Sequence, residues 1–305
     1  MKAMVMGQGS IGIRHARVLR ESGHQVITVS RHVRPGEGGF ASLGAALAAH
    51  PATDYVVVAG ETSGHRGAVE ELARFGFRGI VLVEKPLFDS SLPMPANRFA
   101  ALFVGYNLRF HPLIRELAEI ARGGGVACAS VYVGQHLSQW RPGTDYRGSY
   151  SARRNLGGGV LRDLSHEFDY LLWAFGGWDR LVAHGGRLGE LEIDTEDAVS
   201  LLVEQARCPL TTLHLNYLHR PSRRSLVVIA RGSTWEIDLI GGTLALDGAT
   251  ASSGCGIEQT YKMQHDAILA GEHELLCTAE HGLEVMRAIE AAERSMRLRQ
   301  WVVRE

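Results

Sequence analysis

Four groups of residues in this 305-residue sequence have types and spacings suited to chemistry. The first, Gly7-Gln8-Gly9-Ser10-Ile11-Gly12, fits G-x-G-x-x-G between an apolar strand (residues 2–6) and a helical stretch (13–22). In that setting the first glycine permits a tight turn, and the second lets the backbone approach a pyrophosphate. The third lets helix and strand pack closely. The helix N-terminus faces the phosphate charge, and Ser10 and Ile11 in the loop are counted among the cofactor-binding residues. A merely structural glycine turn is the alternative. NAD-binding versions carry an Asp or Glu at the end of the second strand for the ribose 2′-hydroxyl. Here that place reads Ser30-Arg31-His32, which suits a 2′-phosphate, so NADP(H) is expected over NAD(H). Arg31 could instead be a solvated surface charge.

The second group is Glu84-Lys85-Pro86, directly after the run Ile80-Val81-Leu82-Val83. Only 3 of the 32 basic residues are lysines (Lys2, Lys85, Lys262), so composition gives little reason for a lysine there. Loops at the carboxyl ends of parallel strands gather ligands, and proline fixes the local backbone. A lysine there can bond a carbonyl or hydroxyl and stabilise developing alkoxide charge. The third group is Asp163, His166 and Asp169. If a helix runs from about 163, these residues share a face, and a His beside a carboxylate can transfer protons near neutral pH. A capped helix start, with Asp163 as N-cap and Asp169 structural, accounts for the same residues. The fourth lies in 140–154: Arg141, Arg147, Arg153 and Arg154 stand against a single acidic residue, Asp145. Arg forks suit carboxylate or phosphate, and Trp140, Tyr146 and Tyr150 could stack on a sugar face. The alternative is a solvated loop.

The elements that must position these groups follow from apolar patterning. Short strands near 2–6, 26–29, 54–59, 79–84 and 101–105 alternate with helices near 13–22, 41–49 and 65–75. Continuous apolar strands indicate a parallel sheet covered on both faces. Beyond residue 107, after a helix at 111–122, runs such as ACASVYVGQ, AVSLLVEQ, LTTLHLNYL, SLVVIAR and TWEIDLI alternate with period two. They predict a largely antiparallel sheet with one open face. Helices are expected over 163–175 and 273–298, the latter folding back against the first domain. The expected class is α/β. A doubly wound Rossmann domain (1–107) binds NADP(H), and a substrate and oligomerisation domain (108–305) carries the open sheet.

Composition narrows the partners. With 45% hydrophobic and 21% charged residues and a formal net charge of −1, the chain suits a globular protein with no pull toward nucleic acid or an anionic membrane. No apolar run approaches the ~18–20 residues of a membrane span. The opening MKAMVMGQGSIG does not fit a signal peptide, and the four cysteines form no CxxC pair. A cytoplasmic location, reduced thiols and no bound metal are therefore expected.

Taken together, the glycine loop, Glu84-Lys85-Pro86, Tyr106-Asn107-Leu108-Arg109-Phe110, the GGG…Asp…His…Asp segment and the Ser295…Trp301-Val302 ending resemble the glucose–fructose oxidoreductase/inositol dehydrogenase/rhizopine catabolism (Gfo/Idh/MocA) family. The resemblance implies that Lys85 is the catalytic or substrate-orienting lysine, with its Lys-Pro bond commonly cis. It makes His166 the acid/base histidine and Asp163 the motif aspartate. Thr62 and His65 match the stretch beside the nicotinamide, Glu84 the cofactor side of the motif, and Asn107 and Arg109 the substrate-facing hinge. Asp163 and His166 are three residues apart where the family usually has four, and Ala59-Gly60-Glu61-Thr62 lacks the common proline. The stretch from Trp140 to Arg153, with that shortened spacing, resembles a branch found among bacterial surface-carbohydrate and nucleotide-sugar genes. The expected reaction is hydride transfer between the nicotinamide and a carbinol or ketone carbon of a sugar-like, anionic small molecule. Lys85 polarises the oxygen, His166 moves the proton and Asp163 orients one of them. A homodimer or homotetramer through the second-domain sheet is implied. An inactive NADP-binding regulator on the same fold, or a reductase of a non-sugar substrate, are the alternatives.

Overall fold

A computed structural model describes residues 1–32, 39–141 and 143–305. The chain begins β1 (Lys2–Met6), α1 (Ser10–Glu21), β2 (Gln25–Val29), α2 (Leu43–Ala49), β3 (Tyr55–Val58), α3 (Thr62–Arg74), β4 (Ile80–Val83), β5 (Ala101–Val104). These five strands lie parallel in the order β2-β1-β3-β4-β5. Every residue of β3 is buried, as a strand covered on both faces requires. This is the Rossmann sheet that the apolar runs anticipate.

The chain then forms α4 (Pro112–Arg122), β6 (Val126–Gly134), α5 (Val160–Asp163), α6 (Ser165–Phe175), β7 (Arg180–Gly186), β8 (Ala198–Gln205), β9 (Cys208–Asn216), β10 (Arg223–Ala230), β11 (Ser233–Asp238), β12 (Thr243–Leu246) and β13 (Ala249–Ser252). It ends with α7 (Ile257–Ala270), β14 (Cys277–Thr278), α8 (Ala279–Leu298) and β15 (Val302–Val303). A nine-stranded sheet runs β13-β12-β11-β10-β6-β9-β8-β7-β15. Only β6 and β9 pair in parallel; the other neighbours are antiparallel. Inward positions such as Leu201, Leu213 and Val228 are buried. The other face carries Ser130–Thr212 and Ser200–His214 hydrogen bonds and the exposed Leu202 and Ile229.

Two compact units result: Met1–Asn107 with Glu258–Leu283, and Leu108–Ile257 with Glu284–Glu305. The expected helix over 273–298 therefore needs correction. Helix α8 starts only at Ala279, and Cys277–Thr278 are an antiparallel edge strand on β5. The element that joins the first unit in sequence-distant fashion is α7, which the apolar pattern does not show. Its buried positions include the polar Thr260, Gln264 and His265, and these break the hydrophobic period. Each is hydrogen-bonded instead: Thr260 Oγ1 accepts from Asn107 (2.6 Å), Gln264 donates to the Val104 carbonyl (3.4 Å), and His265 pairs with His15 and Tyr55.

The expected single helix over 163–175 is also two. Helix α5 ends at Asp163, Leu164 leaves helical geometry (φ −97°, ψ 33°), and α6 restarts at Ser165. Asp163 thus does not share a helix face with His166 and Asp169. Asp169 is instead paired with Arg109: the guanidinium donates to both carboxylate oxygens (2.6–3.1 Å) and lies 5.4 Å from the Trp173 ring centre. Beside it, Glu167 accepts from Arg224 (2.8 and 3.2 Å) and Tyr170. Two bidentate Arg–carboxylate pairs therefore fix α6, the helix that carries His166. The Arg109–Asp169 pair is almost wholly buried, at 2% and 1% exposure. Removing one partner leaves an uncompensated charge, so Asp169→Ala is expected to lose about 3–5 kcal/mol of stability. Urea unfolding checks this, and a loss under about 1 kcal/mol would contradict it.

Candidate active site

In the first unit the glycine loop has the geometry its spacing implies. Gly7 sits at φ +107° and donates its N–H to the Val29 carbonyl (2.9 Å). A Cβ there would meet the Ala59 carbonyl, and one at Gly12 would meet the Gly7 carbonyl, so neither tolerates a side chain. Gly9 differs: it caps α1 with open space where a Cβ would stand. Ser10 and Ile11 follow as the first residues of α1, which has no acidic residue in its first turn. That combination fits a dinucleotide pyrophosphate. Past β2, Ser30 Oγ accepts the His32 N–H (3.2 Å), and the Arg31 and His32 side chains are exposed. Of this stretch nothing opposes a 2′-phosphate among the described residues.

The Glu84-Lys85-Pro86 segment leaves β4 with a cis Lys85–Pro86 bond, as the resemblance implies. Lys85 is half-buried. Its backbone N–H donates to Glu84 Oε2 (3.1 Å), while the other carboxylate oxygen bonds His15 Nε2 (2.8 Å). Burial works to raise the Glu84 carboxyl, but the His15 hydrogen bond and the Lys85 charge outweigh it, so the group stays below the usual carboxylate range. Glu84 is 4% exposed and is thus an internal anchor rather than an open cofactor contact. Thr62 and His65 are likewise buried. The His65 ring nitrogens face the Pro86 carbonyl (3.1 Å) and the Gly60 carbonyl (3.2 Å), so His65 braces the residue after Lys85. Burial holds it below the usual imidazole range. Asn107 is buried and committed to Thr260.

The second unit gathers a different cluster. Asp163, at 4% exposure, accepts the Tyr217 hydroxyl (2.7 Å) and the Tyr150 hydroxyl. Burial and then the Asp163 charge push both phenols well up, so they stay protonated and donate. Trp140 packs edge-on against Tyr217 (5.2 Å), and the Arg141 guanidinium lies 5.1 Å from the Tyr150 ring centre. His166 is buried in the first turn of α6, immediately past the break that sets Asp163. Tyr217 directly follows β9, where by sequence its ring reads as one more inward apolar residue. The loop glycines before α5 are also fixed: Gly159 (φ +120°) has no room for a Cβ because Glu196 lies beneath it. Burial raises the Glu196 carboxyl, which accepts the Leu161 N–H (3.2 Å).

The arginine excess in 141–154 is smaller than the linear count. Arg147 pairs with Asp145 and Glu192, and Arg154 is held by Asp194 near Glu196. Tyr146 accepts the Glu192 N–H (3.3 Å) and so supports the loop. Arg141 and the exposed Arg153 have no ion pair among the described residues. The Arg109 guanidinium, a substrate contact by the resemblance, is buried and engages the Asp169 carboxylate through Nε and Nη2. Among the described residues no group of His, Cys, Asp and Glu is arranged to hold a metal. No helix of the described residues is long and apolar enough to cross a membrane.

A glycine-loop Rossmann unit combined with an open, largely antiparallel sheet defines a two-domain Rossmann class of protein. Residues 116–236 match the GFO/IDH/MocA C-terminal domain, in line with the family its motifs resemble. Over 136 residues it is 34% identical to YceM of Salmonella typhimurium, a protein named as an oxidoreductase. That match spans 43% of this chain and 39% of the relative's length. Solved structures share the fold end to end. GenD2 from gentamicin A biosynthesis, in complex with NAD, is 22% identical with a TM-score of 0.80, over 100% of this chain and 96% of that one. The WlbA dehydrogenase of Bordetella pertussis, with NADH and UDP-GlcNAcA, is 17% identical with a TM-score of 0.81, over 100% and 98%. Levoglucosan dehydrogenase with NADH and levoglucosan is 14% identical with a TM-score of 0.82, over 99% of each.

The buried groups of the first unit set a pH dependence. Burial holds His265 well below the usual imidazole range; His65 is lowered too. Both rings are neutral when folded, whereas the unfolded chain takes up protons near about pH 6.5. Their contribution is therefore full above that pH and is lost as the pH falls toward the folded values. Glu84, also lowered, adds a contribution that is present above about pH 4.3 and is lost in stronger acid. Thermal unfolding is expected to show a Tm that falls steadily between about pH 7 and pH 5. A Tm that holds or rises across that interval would contradict the reading.

Proposed function

We propose that the protein is a nicotinamide-dependent oxidoreductase acting on a carbinol or ketone carbon of a sugar or sugar derivative. The observation that carries the reading is the braced Glu84-Lys85-Pro86 segment at the carboxyl end of β4, on the same sheet as an open-faced glycine loop. A bound nicotinamide would supply the hydride acceptor or donor. Gly7, Gly9, Gly12 and the first turn of α1 would hold its pyrophosphate. The exposed Arg31, with Ser30 and His32, favours NADP(H) over NAD(H), although the related structures carry NAD or NADH.

Oxidising a carbinol builds negative charge on its oxygen and releases one proton. Lys85 suits the first demand, because its backbone is held from both sides while its ammonium can donate to that oxygen. His166 suits the second, since an imidazole titrates near neutrality and α6 is anchored by two ion pairs. Asp163 takes an orienting role with Tyr150 and Tyr217 rather than lying on the face of α6. The aromatic faces of Trp140 and Tyr150, with Arg141 and Arg153, support a sugar carrying a carboxylate or phosphate. UDP-GlcNAcA bound to WlbA and levoglucosan bound to levoglucosan dehydrogenase support the sugar class. The open face of the nine-stranded sheet supports a homodimer or homotetramer. Four cysteines without a disulfide support a reducing, cytoplasmic setting.

Turnover is read from the absorbance of reduced nicotinamide across a panel of acidic and nucleotide-linked sugars. Lys85→Ala and His166→Ala are each expected to lower kcat by about 10²–10⁴-fold while leaving cofactor affinity near that of the parent. Near-parental turnover in both variants would overturn these roles.

A further inference from the structure

Beneath the Glu84–Lys85 peptide lie four buried side chains that no step of the proposed reaction uses. Tyr55 (β3), His265 (α7), His15 (α1) and Glu84 form one continuous file, and none is more than 4% exposed. The Tyr55 hydroxyl is 2.9 Å from His265 Nδ1. His265 Nε2 is 2.8 Å from His15 Nδ1, and His15 Nε2 is 2.8 Å from Glu84 Oε1. The file ends at Lys85, whose N–H occupies the second Glu84 oxygen at 3.1 Å. Gly105 closes it from the side: a Cβ there would come within 2.6 Å of Glu84 Oε1.

Counting protons along the file leaves one arrangement in which every donor meets a lone pair. A carboxylate can only accept, so His15 must carry its proton on Nε2. A neutral His15 then offers a lone pair at Nδ1, which accepts from His265 Nε2–H. That leaves the His265 Nδ1 lone pair to accept the Tyr55 O–H. In the other arrangement His15 is an imidazolium, its Nδ1–H points at His265, and His265 Nδ1–H points at the Tyr55 oxygen. The Tyr55 hydroxyl proton is then left with no acceptor among the described residues. Reversing the whole file would need a protonated Glu84 donating to His15, and it would leave the same Tyr55 hydroxyl proton without an acceptor among the described residues. The charged and titratable groups facing His15 and His265 are Glu84 and Lys85 after β4, Tyr55 on β3, Tyr261 on α7 and His24 in the α1–β2 turn. Of these only Glu84 attracts a proton donor strongly, which sets the direction.

We propose that His15 and His265 are positioning residues for Lys85. The one-way chain Tyr55→His265→His15→Glu84 keeps the Glu84 carboxylate deprotonated, and the carboxylate in turn fixes the Lys85 peptide. This rests on the role of Lys85 in the proposed function. The chain has a closed end, because Tyr55 is wholly buried, so it holds a geometry and does not conduct protons to solvent.

The test has two arms. Long-range ¹H–¹⁵N spectra of ring-labelled protein at neutral pH report the tautomers without any turnover. His15 and His265 are both expected as neutral rings protonated on Nε2. A ring protonated on Nδ1, or doubly protonated, at either position would overturn the chain's direction. In the second arm, His265→Leu removes the donor to His15, whereas His265→Gln keeps one acceptor and one donor. His265→Leu is expected to lower kcat about tenfold with cofactor affinity changed less than about twofold, the size of one lost hydrogen bond to a charged network. His265→Gln is expected to recover most of that loss. Equal kcat in His265→Leu and the parent overturns the positioning role. If the parent turns over no sugar with either cofactor, the proposed function fails, and the ring spectra still decide the chain.

Discussion

A carboxylate with almost no solvent exposure, at the end of a parallel strand, is the constraint on which the first unit depends. Left alone, a carboxyl as buried as Glu84 would be driven toward its protonated form. It stays ionised because α1 brings His15 and α7 brings His265 beneath the sheet. The helix that begins at the glycine loop therefore serves two ends. Its N-terminus faces outward with no side chain in the way, and its second turn reaches inward to the Lys85 motif. Through His65, α3 braces the same segment from its other side. Phosphate-binding geometry and the placement of the lysine are thus one packing problem.

The second unit solves a similar problem with ion pairs. A helix bearing Glu167 and Asp169 on buried positions would be costly, yet Arg224 from β10 and Arg109 meet these residues with bidentate geometry. The break at Leu164 then frees Asp163 from the helix and turns it toward Tyr150 and Tyr217. The shortened Asp-to-His spacing has a local explanation: with one helix ended and another begun between them, the two side chains are set by separate anchors. The pairing of Arg147 with Asp145 and Glu192, and of Arg154 with Glu196, trims the positive charge nearby.

Apolar periodicity made the Rossmann sheet and most of the open sheet legible, because their strands bury aliphatic residues at regular intervals. The glycine loop and Lys85 were legible because few residue types satisfy a tight turn or a lone cation in that place. What escaped shares one cause: polar groups buried by pairing with residues far away in sequence. Helix α7 hid behind Thr260, Gln264 and His265, whose partners lie 153 to 250 residues away. Arg109 looked like a substrate contact because Asp169, its partner, is 60 residues on. Tyr217 looked like a core ring, since nothing near it in sequence shows the carboxylate that its hydroxyl meets. A pattern-based reading assumes that polar means exposed, and these sites violate it.

The first unit is proposed as a nicotinamide dinucleotide site in which Ser30-Arg31-His32 favour a 2′-phosphate. Calorimetric titration of NADPH and NADH into the parent and into Arg31→Ala tests it most directly. Both cofactors should bind the parent, NADPH about tenfold or more tightly, as one charge-assisted phosphate contact implies. Arg31→Ala should bring the two together. Binding of neither cofactor, or equal affinities in the parent, would contradict the account.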